Sequence, residues 1–198
     1  MNQLLLATHN LDKAREFSAL LGDMNVEVLT LDAFPQIGPI PEDAGTLEGN
    51  ALLKANAVCR LSGLPSLGDD TGLEVHALYG EPGVYSSRYS GEHATYAENV
   101  SKLLFNMKKI PPRRRGARFR CVLAFVPPGI APRVVEGVCR GTILEKPRGI
   151  GGFGYDPVFL PRDSDRTLAE MDLSQKNSIS HRGRAAREMI PVLREYFK

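Results

Sequence analysis

The sequence has few cysteines and no long apolar run. Its 198 residues include three cysteines, Cys59, Cys121 and Cys139, which are odd in number, widely spaced and set among apolar neighbours. Such thiols are typical of small core residues in a reducing compartment, not of a disulfide framework. No apolar stretch approaches the roughly 20 residues of a membrane span, and the N-terminal residues lack the basic start of a signal peptide. We therefore expect a soluble, cytoplasmic protein with no membrane partner.

The sequence also has little excess charge of either sign. Its 25 Lys and Arg residues and 23 Asp and Glu residues give a formal net charge of +2, which is too small for a bulk nucleic-acid binder. The basic run Lys108 to Arg115 contains prolines and no interleaved aromatic residues, so a solvated loop is favoured over an RNA-binding patch. Any recognition of anions must therefore be local.

Length and patterning predict one α/β domain over residues 1–198. Hydrophobic residues make up 42% of the chain, and no internal repeat or long linker divides it. Leu4 to Ala7 is an apolar run suited to a buried strand, and Val26 to Leu29 is typical of a second strand. Between them, Ala14 and Phe17 begin a helical spacing. The order strand, helix, strand predicts an α/β fold.

Capping residues mark two further helices. Thr46 is suited to cap a helix that stops near Gly63. Thr95 and Glu98 form a capping box for the next helix.

The C-terminal half begins with strands and ends in a helix. Two β-rich stretches, 118–126 and 134–145, are separated by a Pro-Pro-Gly turn and predict a hairpin of long strands. Ser180 is expected to start a final helix that Pro191 kinks or interrupts.

The glycine cluster Gly149 to Gly154 formally matches the G-x-G-x-x-G dinucleotide fingerprint. That fingerprint requires a helix directly after the loop, whereas a short strand over 158–160 is predicted here, so we reject this interpretation. The glycines instead permit an open backbone beside Phe153. Its ring is suited to stack on a base. The alternative is that Phe153 is a structural residue of the core.

Polar groups gather in three predicted turns that directly follow apolar strands: Thr8 to Lys13, Asp69 to Gly72, and Phe153 to Asp156. Ligands of α/β sheets bind at such strand ends. The three turns either converge on one cleft or are unrelated surface turns.

The carboxylates near the second turn predict a cation site. Asp69 and Asp70, together with Glu42 and Asp43, supply oxygen ligands of the kind that magnesium requires. Asp70 is alternatively the base that deprotonates an attacking water. An Asp in such a turn also commonly hydrogen-bonds its own backbone.

Basic side chains near these segments are suited to phosphate or base recognition. Lys13 can meet phosphate together with the amides of a helix N-terminus, and Lys54 can extend from an apolar stretch into a cleft. Solvent exposure is the alternative for both. The stretch Lys176 to Gly183 concentrates donors that suit an anion or a carbonyl oxygen. His181 within it is alternatively an exposed residue of the first helical turn.

Six motifs in order along nearly the whole chain resemble those of the inosine triphosphate pyrophosphatase family. The motifs are Ala7-Thr8-His9-Asn10 with Lys13, Glu48 to Ala55, Asp69 to Leu73, Tyr85 to Gly91, Gly151 to Pro157 and Ser180 to Gly183. Two positions depart from the family pattern, which often has Gly in place of His9 and Glu in place of Gly49. Neither departure removes an assigned catalytic group, although His9 could alter phosphate contacts.

The resemblance implies a fold and a set of site residues. The fold would be an elongated, two-lobed mixed sheet flanked by helices, with the active-site cleft between the lobes, in a homodimer. Asp70 would be the general base and a magnesium ligand, with Glu42 as the second ligand. The residues implied to contact the phosphates and the metal are Thr8, His9, Asn10, Lys13, Lys54 and Thr71. Those implied for the nucleoside pocket are Phe153, Gly154, Tyr155, Asp156, Lys176, His181 and Arg182.

The resemblance further implies Mg²⁺-dependent hydrolysis of the purine nucleoside triphosphates ITP, dITP and XTP to the monophosphate and pyrophosphate. Two alternatives remain open on the residues alone. One is a nucleotide pyrophosphatase of different base selectivity, and the other is a non-catalytic nucleotide- or RNA-binding module.

Overall fold

The computed structural model describes residues 2–198, which cluster into two compact units. Unit 1 contains the residues up to Asp70, then Cys121–Gly137 and Arg182–Lys198. Unit 2 contains Thr71–Arg120 and Val138–His181. Each unit is therefore assembled from separate stretches of the chain.

The described residues form five α-helices, several 3-10 turns and one seven-stranded sheet. The strands are β1 Asn2–Leu6, β2 Val26–Leu29, β3 Ser66–Val75, β4 Pro82–Gly83, β5 Gly116–Val126, β6 Arg133–Ile143 and β7 Phe159–Pro161. The helices are α1 Leu11–Leu20, α2 Leu47–Ser62, α3 Tyr96–Asn106, α4 Leu173–Ile179 and α5 His181–Tyr196.

The sheet is mixed. Its order is β2-β1-β3-β5-β6-β7, with β4 paired to β3. Strand β1 runs parallel to both β2 and β3, whereas β3 and β4, and β6 and β7, are antiparallel. The predicted α/β class and mixed sheet are confirmed, and so are the two long strands predicted around residues 118–145.

In unit 1, strand β1 is buried on both faces, which explains its continuous apolar sequence. Leu4 and Leu6 pack in a cluster with Phe17 of α1 and Leu193 of α5. Leu5 and Ala7 pack with Val58 of α2 in a second cluster. The alternation of side chains along a strand thus directs β1 toward different helices on its two sides.

Helix α2 lies directly against β3. The Thr46 side chain accepts a hydrogen bond from the amide of Gly49, and Gly63 ends the helix with a left-handed backbone at φ 73°, as the sequence predicts. A Cβ at Gly68 of β3 would lie 2.1 Å from the carbonyl oxygen of Ala51. The absence of a side chain at Gly68 therefore allows this close approach of helix and strand.

In unit 2, a separate core surrounds helix α3, whose predicted capping box between Thr95 and Glu98 is present. The predicted solvated loop after this helix is correct for Lys108 but wrong for Arg115, which is 3% exposed. The Arg115 guanidinium donates to the carbonyls of Met107, Ile143 and Leu144. Those carbonyls supply the acceptors that a buried guanidinium needs.

Residues 69–72 do not form the predicted turn. They continue strand β3, in which Asp69 and Asp70 are 2% and 5% exposed. Buried carboxylates are rare without partners, so the sequence alone favours an exposed turn for two adjacent Asp residues. In the fold, cationic side chains from other segments supply those partners.

The C-terminal helices also differ from the sequence prediction. Helix α4 was not predicted. Ser180 ends it, and the predicted final helix, α5, begins directly after Ser180 at His181. Helix α5 continues through Pro191 without interruption. Proline has no N–H to donate to the carbonyl one turn earlier, but Pro191 is exposed, so water can solvate that carbonyl.

Strand β7 begins at Phe159, one residue later than predicted. Within residues 2–198, no helix is long and apolar enough to cross a membrane.

Candidate active site

Strand β3 holds two adjacent carboxylates in different environments. Successive side chains of a strand point to opposite faces, so Asp69 and Asp70 meet different helices. Asp69 contacts Lys13 of α1 and Arg182 of α5, whereas Asp70 contacts Lys54 of α2.

The Asp69 carboxylate is the centre of a buried ion network. The Nζ atom of Lys13 lies 2.5 Å from its Oδ1, and Nε of Arg182 lies 2.9 Å from its Oδ2. The Cys121 thiol donates to the same Oδ2 at 3.1 Å. Burial would raise the pKa of Asp69, but Arg182 and then Lys13 outweigh it and hold the pKa well below its usual range. Asp69 is therefore ionised at neutral pH.

Arg182 lies in this network and is 1% exposed. Its guanidinium donates to both oxygens of Asp69 and, at 2.5 Å, to Oε2 of Glu16. The resemblance implies a nucleoside contact for Arg182, whereas the structure places it on two carboxylates. Its principal contacts hold the middle of α1 and the first turn of α5 to β3.

Asp70 has a different set of partners. Nζ of Lys54 donates to Asp70 Oδ1 at 2.9 Å and to Glu42 Oε1 at 2.8 Å. Nδ2 of Asn50 donates to Asp70 Oδ2 at 3.2 Å. Burial raises the pKa of Asp70, and the opposing effects of Lys54 and Lys13 do not cancel the rise. A carboxylate with a raised pKa is a better base toward water.

Lys54 is buried rather than solvated, at 6% exposure. Burial lowers the pKa of Lys54, but Asp70 and then Glu42 outweigh that effect, and the pKa lies above its ordinary value. Its ammonium group therefore remains charged between the two carboxylates.

The residues present fit a magnesium ion. Glu42 and Asp70 are close enough to share one cationic group, the ammonium of Lys54. Among residues 2–198, no three His, Cys, Asp or Glu side chains are grouped as a metal site. Two carboxylates suffice for Mg²⁺, which commonly completes its six oxygen ligands with water and substrate phosphates. Asp43 of the same segment is exposed.

The N-terminus of α1 carries the first predicted turn. Oδ1 of Asn10 accepts from the amides of Asp12 and Lys13, and Oγ1 of Thr8 accepts from the amide of Asn10. Asn10 is thus the N-cap of α1, and His9 beside it is exposed. The positive end of the helix dipole at this ten-residue helix favours anions.

Unit 2 contains an aromatic and charged cluster. The Lys176 ammonium forms a buried ion pair with Asp156 and lies 4.5 Å from the centre of the Phe153 ring. The Phe153 amide donates to Asp156 Oδ2 at 2.9 Å, and a Cβ at Gly152 would lie 2.1 Å from that oxygen. The glycine-rich segment therefore wraps around Asp156. A 3-10 turn and β7 follow it, which confirms rejection of the dinucleotide fingerprint.

The ring of Phe153 is partly exposed, and the centre of the Tyr96 ring of α3 lies 5.8 Å from its centre.

Tyr155 is buried, donates from its hydroxyl to the carbonyl of Ser86, and has a pKa raised by burial. His181 is also buried and stacks on Phe119 with ring centres 4.5 Å apart. Gly154 has a left-handed backbone at φ 64°. Thr71, next to Asp70 on β3, is partly exposed.

Among the residues in these contacts, the sequence analysis gave no role in the site to Glu16, Asn50 or Gly68. Glu16 and Asn50 lie on amphipathic helices, where polar residues usually face solvent, so their burial has no local sequence signal. Gly68 directly precedes the Asp-Asp pair, and a glycine inside a strand is a sign of close backbone approach. Gly49, the second departure from the family pattern, has similar crowding, since a Cβ there would lie 2.6 Å from Cβ of Ala44.

Comparison with known proteins agrees with these motifs. The model of the Ham1 family matches residues 4–192. A dITP/XTP pyrophosphatase of Geobacter sulfurreducens is 46% identical over 185 residues, 93% of each chain, and one of Streptomyces avermitilis is 45% identical over 98% of each. The structure of a HAM1 protein from Coxiella burnetii superposes with a TM-score of 0.88 at 40% identity, covering 98% of this chain and 100% of that one. By family model, sequence and structure alike, this chain belongs to the Ham1 family.

Proposed function

We propose that this protein hydrolyses ITP, dITP and XTP to the nucleoside monophosphate and pyrophosphate, with Mg²⁺. The observation that carries the proposal is Asp70, a buried carboxylate with a raised pKa, held against Lys54 and Asn50 beside Glu42. Membership of the Ham1 family supports the reaction class, since several relatives carry the name dITP/XTP pyrophosphatase.

In the proposed mechanism, Asp70 removes a proton from water. The water oxygen forms a new bond to phosphorus, the bond between the first and second phosphates breaks, and pyrophosphate leaves with the electron pair. Glu42 and Asp70 would hold Mg²⁺, which would neutralise phosphate charge. Stabilising charge is the main task in phosphoryl transfer. Lys13 and Lys54 would contribute further positive charge toward the phosphates.

The N-terminus of α1 is proposed to bind the same phosphates. The positive end of its helix dipole is suited to an anion, and Thr8 and Asn10 fix the local backbone by their hydrogen bonds. His9 is exposed and Thr71 is partly exposed, so both side chains are available for such contacts.

The cluster of unit 2 is proposed to hold the base. The partly exposed ring of Phe153 offers a stacking face, and Lys176 offers a donor to the 6-oxo group of hypoxanthine or xanthine. Adenine has an amino donor at that position and would be mismatched. Rejection of guanine would depend on its 2-amino group. Gly154, Tyr155 and Asp156 shape this segment, and His181 supports it through Phe119.

A nucleotide panel tests the proposal. Wild-type protein should release pyrophosphate, not orthophosphate, from ITP and XTP in the presence of Mg²⁺, with kcat/KM well above that for ATP and GTP. Comparable kcat/KM for ATP and ITP would refute the base selectivity. Salt-sensitive RNA binding without pyrophosphate release would favour the non-catalytic alternative.

A cytoplasmic homodimer completes the proposal. The three cysteines are free and buried, which suits a reducing compartment, and the resemblance to the inosine triphosphate pyrophosphatases supports the dimer. Light scattering should give twice the mass of one chain, and the mass of a single chain would contradict it.

A further inference from the structure

Asn50 of α2 contacts both the segment that carries Glu42 and the Asp70 carboxylate. Its side chain is 1% exposed. Its Oδ1 accepts from the backbone amide of Ala44 at 3.0 Å, and its Nδ2 donates to Asp70 Oδ2 at 3.2 Å. Because a backbone N–H can only donate, Ala44 determines which end of the Asn50 amide faces it. The NH₂ group must then face Asp70.

Lys54 lies one helical turn after Asn50, on the same face of α2. It donates to the other oxygen of Asp70, and it also donates to Glu42. Asn50 and Lys54 therefore each hold one oxygen of Asp70 and each hold the segment 42–44. Because both donors project from one helix, the Asp70 carboxylate cannot rotate without losing a hydrogen bond.

On the basis of the function proposed above, we infer that Asn50 is a positioning residue that orients the Asp70 carboxylate and holds the Glu42 segment beside it. Its hydrogen bonds go to protein groups, so its loss acts on the chemical step and on metal affinity rather than on nucleotide affinity. Partners that orient metal-binding carboxylates contribute about 10- to 100-fold to activity or metal affinity.

Two substitutions separate the two contacts of Asn50. Asn50→Leu has a similar size and removes both hydrogen bonds. Asn50→Asp keeps the acceptor for the Ala44 amide, removes the donor to Asp70 and adds a carboxylate. Asn56→Leu is the matched control, because Asn56 lies on the same helix, is exposed, and donates to the carbonyl of Leu52 within that helix.

Three measurements are made on each protein: pyrophosphate release from ITP, Mg²⁺ binding to nucleotide-free protein by calorimetry, and thermal unfolding. Asn50→Leu should lower kcat by about 10- to 100-fold, leave KM for ITP within about threefold, and weaken Mg²⁺ binding by about 10-fold. Asn50→Asp should lower kcat by at least about 10-fold without weakening Mg²⁺ binding. Asn56→Leu should match the wild type in all three.

Asn50→Asp retains the contact with Ala44 but lacks the donor to Asp70. Wild-type kcat in this variant would therefore overturn the inference. A loss of kcat in Asn50→Leu that only follows the folded fraction would also overturn it. If Asn50→Leu does not fold, Asn50→Asp decides the question alone. Failure of wild-type protein to release pyrophosphate would refute the proposed function, and Mg²⁺ binding unchanged in Asn50→Leu would then separately refute the positioning role.

Discussion

Asp69 and Asp70 are neighbours in β3, yet their surroundings move the pKa values of their carboxyl groups in opposite directions. Burial acts to raise both. At Asp69 the guanidinium of Arg182 and the ammonium of Lys13 reverse the effect, whereas at Asp70 burial prevails over Lys54. Adjacent carboxyl groups with separated pKa values are typical of sites that divide structural and proton-transfer roles.

Acid should weaken the fold through Asp69. A carboxyl whose pKa is lowered by folding contributes stability above its unfolded pKa of about 3.9, and that contribution is lost as the pH falls toward its lower folded pKa. Near neutral pH, Asp69→Asn should lower the free energy of unfolding by about 3–5 kcal/mol, because it leaves Arg182 short of a partner. Urea unfolding of metal-free protein from pH 7 to 3 measures this difference, which should shrink below about pH 4. A difference that grows in acid would contradict the assignment.

Gly68→Ala should separate α2 from β3. The added methyl group would meet the carbonyl of Ala51 at 2.1 Å, and overpacking of this kind costs about 1–3 kcal/mol in unfolding free energy. The same shift would move Lys54 relative to Asp70, so kcat should fall as well. Gly38→Ala is the control, since a Cβ there meets nothing within 4 Å. Equal melting temperatures and kcat for the two variants would contradict the close approach.

Lys54→Met should make the stability of the fold more dependent on Mg²⁺. Without the ammonium group, Glu42 and Asp70 lose their shared positive charge, and removing one partner of a buried ion pair costs about 3–5 kcal/mol. Mg²⁺ that binds the folded state restores part of this loss. Thermal unfolding should therefore show a larger Mg²⁺-induced stabilisation in Lys54→Met than in wild-type protein. An Mg²⁺ effect no larger than in the wild type would count against a metal site at these carboxylates.

Phe153→Leu should weaken nucleotide binding. Stacking of a base on an aromatic ring contributes about 1–3 kcal/mol, so KM for ITP should rise about 5- to 150-fold, with a smaller change in kcat. Phe105→Leu on α3 is the control, because Phe105 is 75% exposed. Steady-state kinetics with unchanged KM in Phe153→Leu would remove Phe153 from base recognition.

Local signals were sufficient for some elements of the fold. Helix α2 begins after Thr46 and ends at Gly63 as predicted, because capping depends on residues within one helical turn. The role of Asp69–Gly72 could not be predicted in this way. Two adjacent carboxylates enter a strand only when cations from remote segments, Lys13, Lys54 and Arg182, reach them in the fold. The burial of Asn50 depends on the same long-range packing.

The most direct test of the central claim compares wild-type protein with Asp70→Asn in Mg²⁺-dependent pyrophosphate release from ITP. The account predicts that Asp70→Asn remains folded and loses about 10²- to 10⁴-fold in kcat, because the amide cannot take a proton from water. A folded Asp70→Asn protein with wild-type kcat would contradict the assignment of Asp70 as the base.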